Sequence, residues 1–128
     1  MKKTSNLIIL LTVLLFGCAT NPNSIDAHLV KVGDIDNLEV KDLRSSRINN
    51  FLNVQATVQN DSGSIKQMYY RCKFYDGNKF QVGTDSQWQP VRVYGKATQD
   101  ISCVATEPTA IDFKLEVNST GTALKVYN

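Results

Sequence analysis

The sequence predicts an all-β domain: a sandwich or small barrel of six to eight short antiparallel strands. Three observations carry this. Polar and apolar residues alternate with period two, most cleanly over Phe51 to Gln59, Lys66 to Tyr75 and Ala110 to Val117. Turn-forming clusters punctuate these stretches, at Gly33-Asp34, Asn60 to Ser64, Asp76-Gly77-Asn78, Gly95-Lys96 and Asn118 to Gly121. No helical period runs after residue 18. Alternation, rather than continuous apolar runs, describes sheets packed on one face and wet on the other, which are antiparallel. A chain of 128 residues holds one such domain.

The chain opens on a targeting segment. Met1 to Asn6 is short and positive, with Lys2 and Lys3, and Leu7 to Phe16 is apolar apart from Thr12. That run of ten suits a signal peptide and is about half of what a spanning helix needs. It ends Leu15-Phe16-Gly17-Cys18, which resembles the bacterial lipobox, with Phe16 departing from the small residue usual at its position. Residues 1–17 are thus expected to be removed and Cys18 to carry the lipid (diacylglycerol and palmitate-type chains), which together suffice for stable anchoring. Ala19, rather than Asp, favours sorting to the outer membrane, a receptor-read address. Residues 18–28, polar and containing Pro22, read as a tether, and residues 29–128 as the domain.

Within the domain, Leu29 to Val32 makes a short first strand, and Leu38 to Lys41 alternates and continues weakly toward Arg47. Ser45 to Asn50 is polar and holds a turn. In the next strand Leu52, Val54, Ala56 and Val58 face inward; in Lys66 to Tyr75 the inward set is Met68, Tyr70, Cys72 and Phe74. Lys79 to Val82 is a short strand after the Asp76 turn. Gln87 to Tyr94 carries Pro90, which belongs at a sheet edge. Ala97 to Val104 places Ile101 and Cys103 inward, and Ala110 to Val117 does the same for Ile111, Phe113, Leu115 and Val117. Ala123 to Val126 closes the chain with a last apolar stretch.

With Cys18 acylated, Cys72 and Cys103 remain. In an exported domain an even pair of inward cysteines favours a disulfide, the alternative being two separate buried thiols. A bridge across a loop of this length is worth about 3–4 kcal/mol on the chain-entropy model.

Charge and motif content exclude several functions. Of 14 Lys and Arg, two lie in the signal, leaving twelve against twelve Asp and Glu. A neutral domain offers no basic stripe for nucleic acid and no polybasic membrane patch. No phosphate loop or metalloprotease motif occurs, no cofactor or metal is expected, and the one histidine, His28, reads as a solvated residue beside the tether. Asp112, Lys114 and Glu116 read as a solvated, ion-paired face. No catalytic residue is expected.

Leu52 to Asn60, then Tyr70-Arg71-Cys72-Lys73-Phe74-Tyr75-Asp76-Gly77, then Trp88, then Ala110 to Leu115 resemble the YcfL family of small Gram-negative lipoproteins. Its pattern is a strand ending in Asn, a Tyr-Arg-x-x-x-Tyr-Asp-x-x-Gly strand and turn, a later Trp, and a closing Asp-Phe-Arg-Leu strand. The resemblance implies an immunoglobulin-like antiparallel sandwich of about seven strands and export, and implies no activity. Gly77 directly after Asp76 departs from the pattern and suggests a shortened or shifted turn; the two domain cysteines lie outside it.

The outward face of Lys66 to Tyr75 presents Tyr69, Arg71, Lys73 and Tyr75, residue types enriched at binding hot spots. The expected role is therefore non-enzymatic binding of an envelope or periplasmic protein by an anchored, periplasm-facing domain. The alternative is a cell-wall glycan or peptidoglycan module with Trp88 and Tyr94 as stacking platforms.

Overall fold

The computed structural model describes residues 25–84 and 86–119. The signal segment, Cys18 and the stretch at Ala123 to Val126 lie outside the described residues. The fold is an immunoglobulin-like β-sandwich, with eight strands among the described residues: β1 (Leu29–Lys31), β2 (Leu38–Ile48), β3 (Phe51–Asn60), β4 (Lys66–Tyr75), β5 (Gln81–Val82), β6 (Gln89–Val93), β7 (Thr98–Val104) and β8 (Asp112–Asn118). A single helical turn, α1 (Ile25–His28), precedes β1. The larger sheet runs β1-β8-β4, with β5 and β6 sharing the far edge of β4; the smaller runs β2-β3-β7. Pro90 sits on β6, at the edge where its missing N–H costs no ladder bond.

The alternation sorts most of the core correctly. Leu52, Val54, Ala56 and Val58 from β3 meet Met68, Tyr70, Cys72 and Phe74 from β4, and Phe113, Leu115, Val117 and Ile101 complete the layer. Each fully buried aliphatic side chain contributes about 1.5–3 kcal/mol. Burial pushes the Tyr70 hydroxyl above its ordinary pKa, against a backbone hydrogen bond with Ser102 that lowers it. Cys72 and Cys103 are joined, Cα to Cα 6.2 Å, so the disulfide links β4 of one sheet to β7 of the other.

Several expectations are corrected. β1 pairs with β8 in parallel, Leu29 opposite Leu115, so the larger sheet is mixed. The Ser45–Asn50 turn shrinks to Asn49-Asn50, because β2 stays paired through Ile48. Both asparagines have positive φ, 50° and 70°, as a tight two-residue hairpin requires. Residues 25–28 are not free tether: Ile25 packs against the core. Ile111 is exposed because β8 begins one residue later; its amide reaches Tyr75 O while its side chain leaves the core.

The turn after β4 is built around Asp76. The Asp76 carboxylate accepts from the amides of Asn78 and Phe80, at 2.9 and 3.0 Å, and Lys79 takes the left-handed conformation with φ 67°. Position 79 is where the pattern Tyr-Arg-x-x-x-Tyr-Asp-x-x-Gly, counted from Tyr70, places its glycine. A lysine there bears a steric cost that glycine does not. Lys79→Gly is therefore expected to stabilise the fold by about 1 kcal/mol, read as a raised urea midpoint with an unchanged m-value.

One end of the sandwich is closed by a buried amide. Asn60, expected in a turn, is the last residue of β3 and is almost wholly buried. Its Nδ2 donates to the carbonyls of Ser64, Val93 and Tyr94 at 2.7, 3.0 and 3.2 Å. Its Oδ1 accepts from the Ser62 amide and hydroxyl at 2.9 and 2.7 Å. The β3–β4 and β6–β7 loops are thereby fastened together. They approach so closely that a methyl on Gly95 would lie 2.5 Å from the Gly63 backbone.

Candidate functional site

The β4 residues that alternate away from the core line the outer face of the larger sheet, and register places Arg71 opposite Glu116 of β8. Arg71 Nε donates to Glu116 Oε2 at 2.6 Å, and Lys73 Nζ approaches Oε1 at 3.3 Å. Glu116 is therefore not a solvated outward carboxylate. Its side chain is 12 % exposed and those of Arg71 and Lys73 are 18 % and 23 %. One carboxylate between two cations leaves a single positive charge in excess.

Trp88 is delivered to this cluster by a strand substitute. Between β5 and β6 the edge of β4 lacks a neighbouring strand, and the Ser86 hydroxyl fills the gap. It accepts from the Cys72 amide at 3.0 Å and donates to the Cys72 carbonyl at 2.8 Å. The chain then places the Trp88 ring under the Arg71 guanidinium, 4.6 Å from its centroid, a cation–π contact. Among the described residues the buried indole N–H has no acceptor. Tyr69 and Tyr75 flank the cluster, half-buried.

The four expected face residues are therefore brought together, joined by Glu116 and Trp88. Trp88 and Tyr94 are not. They stand at opposite ends of β6, about 20 Å of extended chain apart, and one face of Trp88 is already covered by Arg71. Tyr94 is exposed on the β6–β7 loop.

Removing the shared carboxylate tests the cluster. Glu116→Gln should destabilise by about 2 kcal/mol, less than the 3–5 of a fully buried pair because all three groups keep some water. A shift in thermal midpoint checks it, and Glu116→Gln combined with Arg71→Met should lose less than the two single changes summed.

A second feature was missed in the sequence. His28 is not solvated: its side chain is 15 % exposed, its Nε2 lies 3.1 Å from Asp112 Oδ1, and its ring stacks on Phe113, centroids 4.4 Å apart. It borders an open cleft of about 530 Å³ between β2 and the start of β8, with Leu43, Arg44 and Ile111 on the other walls. Arg47, also unremarked, donates from β2 to the carbonyls of Asn50, Pro108 and Ala110, at 2.9, 3.0 and 2.6 Å, tying the edge of the smaller sheet to the β7–β8 loop. Among the described residues no three His, Cys, Asp or Glu side chains converge as a metal-binding set.

The molecule is a small all-β domain: a two-sheet sandwich bridged by one disulfide, with an aromatic and cationic patch on the outer face of its larger sheet. The chain belongs to the family described as "Protein of unknown function (DUF1425)", whose model matches residues 34–119. Two solved structures share the fold. One is a DUF1425 family member from Shewanella sp. pv-4, 21 % identical over 65 % of this chain and 78 % of that one, with a TM-score of 0.59. The other is Campylobacter jejuni Cj0090, 20 % identical over 70 % of this chain and 97 % of that one, also with a TM-score of 0.59. No curated protein matches the chain.

Proposed function

We propose that this chain is a YcfL-like member of its family: a lipoprotein held at the outer membrane through Cys18, its sandwich facing the periplasm and binding an envelope protein without catalysis. The observation that supports binding is the outer face of β4 and β8. There Tyr69, Tyr75, Trp88 and Arg71 surround a paired carboxylate. Aromatic residues and arginine are the types that dominate contact energies, and a guanidinium held by Glu116 and Trp88 loses little freedom on docking. The excess positive charge favours an acidic partner surface. Two features support the YcfL-like reading: the strand ending in buried Asn60, and the left-handed residue 79 at the place of the pattern's glycine.

A photo-crosslinking residue at Tyr69 or Tyr75 in whole cells should yield a discrete adduct that the same residue at Gln59, on the smaller sheet, does not. Adducts at Gln59 or Tyr94 alone would remove this face from the reading. The glycan alternative would use Trp88 and Tyr94 as separate stacking platforms, since they stand at opposite ends of β6.

A further inference from the structure

We propose that the end of the sandwich carrying α1 rests on the bilayer, with Phe80 and Ile111 entering the lipid headgroup region. The placement builds on the anchor reading for Cys18. Seven residue steps separate Cys18 from Ile25, at most about 25 Å of extended chain. β4 alone, ten residues long, spans about 33 Å. A lipid at Cys18 therefore holds the α1 end near the membrane, and the far end, with Tyr94 and Ile65, stands off it.

The near end has the surface such a position needs. Phe80 is 71 % exposed at the tip of the β4–β5 turn, and Ile111 is 60 % exposed beside it. Turn and residue adjoin: the Ile111 amide bonds Tyr75 O at 2.9 Å, and a methyl on Gly77 would touch Ile111 Cδ1 at 3.6 Å. Exposed Ile48 and Val104, at the ends of β2 and β7, belong to the same end. Lys79 precedes Phe80 in a conformation that a lysine adopts at a cost; its aliphatic stem can lie along the acyl boundary with the ammonium among phosphates. An aromatic ring and an aliphatic side chain beside a lysine is the composition of segments that lie in a membrane interface.

The test uses the full-length chain, purified from membranes, with acylation at Cys18 read by intact mass. Phe80→Cys and, separately, Ile111→Cys and Tyr94→Cys are labelled with an environment-sensitive NBD probe while Cys72 and Cys103 remain oxidised. Each is reconstituted into phosphatidylethanolamine–phosphatidylglycerol vesicles. Emission at positions 80 and 111 should move to the blue and be quenched by brominated lipid, while position 94 keeps its aqueous spectrum. Acylated protein with aqueous spectra at 80 and 111, with blue emission that brominated lipid leaves unquenched, or with quenching at all three positions, overturns the placement. A mass lacking the acyl chains overturns the anchor reading itself, and the placement with it.

Discussion

Replacing Asn60 with aspartate is expected to cost the fold about 3–5 kcal/mol, a large share of the roughly 5–15 kcal/mol that holds an ordinary domain together. The change is one atom, yet it reverses the chemistry. An amide nitrogen that donates to three carbonyls becomes an oxygen facing the same three. Almost no water reaches the site to soften the repulsion. The deficit should also depend on pH. Protonated, the new carboxyl can still donate one hydrogen bond. Ionised, it can donate none, so its folded pKa lies above that of an unfolded aspartate, about 3.9. The unfolded chain ionises first as pH rises, and stability falls through and above that range. Urea titrations of wild type and variant at pH 4 and pH 7 should show the gap widening at the higher pH.

The second large effect concerns the bridge between the sheets. Cys72→Ala with Cys103→Ala, or reduction of the disulfide, is expected to lower stability by about 3–4 kcal/mol, from the entropy returned to an unfolded chain with a loop of 31 residues released. Cys72 is buried at the centre of β4, so alanine there also leaves a small void. The fold should survive at low temperature, since the apolar core of both sheets is otherwise intact. Equilibrium denaturation with and without reductant measures the difference. A midpoint unchanged by complete reduction, verified by thiol titration, would show that the covalent link adds nothing to the packing.

Much of this architecture could be read from residue order because its physics is local. The eight inward residues of β3 and β4 follow from pleat geometry alone, and all eight are buried. The same parity put Cys72 and Cys103 toward one interior, although Cys103 remains partly exposed. What the sequence concealed depends on contacts between distant segments. Alternation correctly placed Glu116 on the outer face, but only the β4–β8 register shows Arg71 and Lys73 closing over it. Asn60 has the composition of a turn residue, and its carbonyl partners lie more than thirty residues away in the case of Val93 and Tyr94. His28 looked solvated because the segment before it is polar; Asp112 and Phe113, which hold it, arrive from β8. The Trp88–Arg71 contact needs a serine standing in for a strand, and no periodicity encodes that. The outer face of β4 was thus legible as a row of residue types, while its internal pairing was not.

The parallel joining of β1 to β8 has a mechanical consequence. Any pull transmitted through the segment before Ile25 runs along β1, lengthwise to its neighbour. The bonds linking Leu29–Lys31 to Leu115–Val117, with the Val32 amide on Val117 O, are then loaded together in shear. A hairpin pulled at its open end would instead unzip rung by rung. With β8 seated between β1 and β4, a tug is passed straight into the middle of the larger sheet.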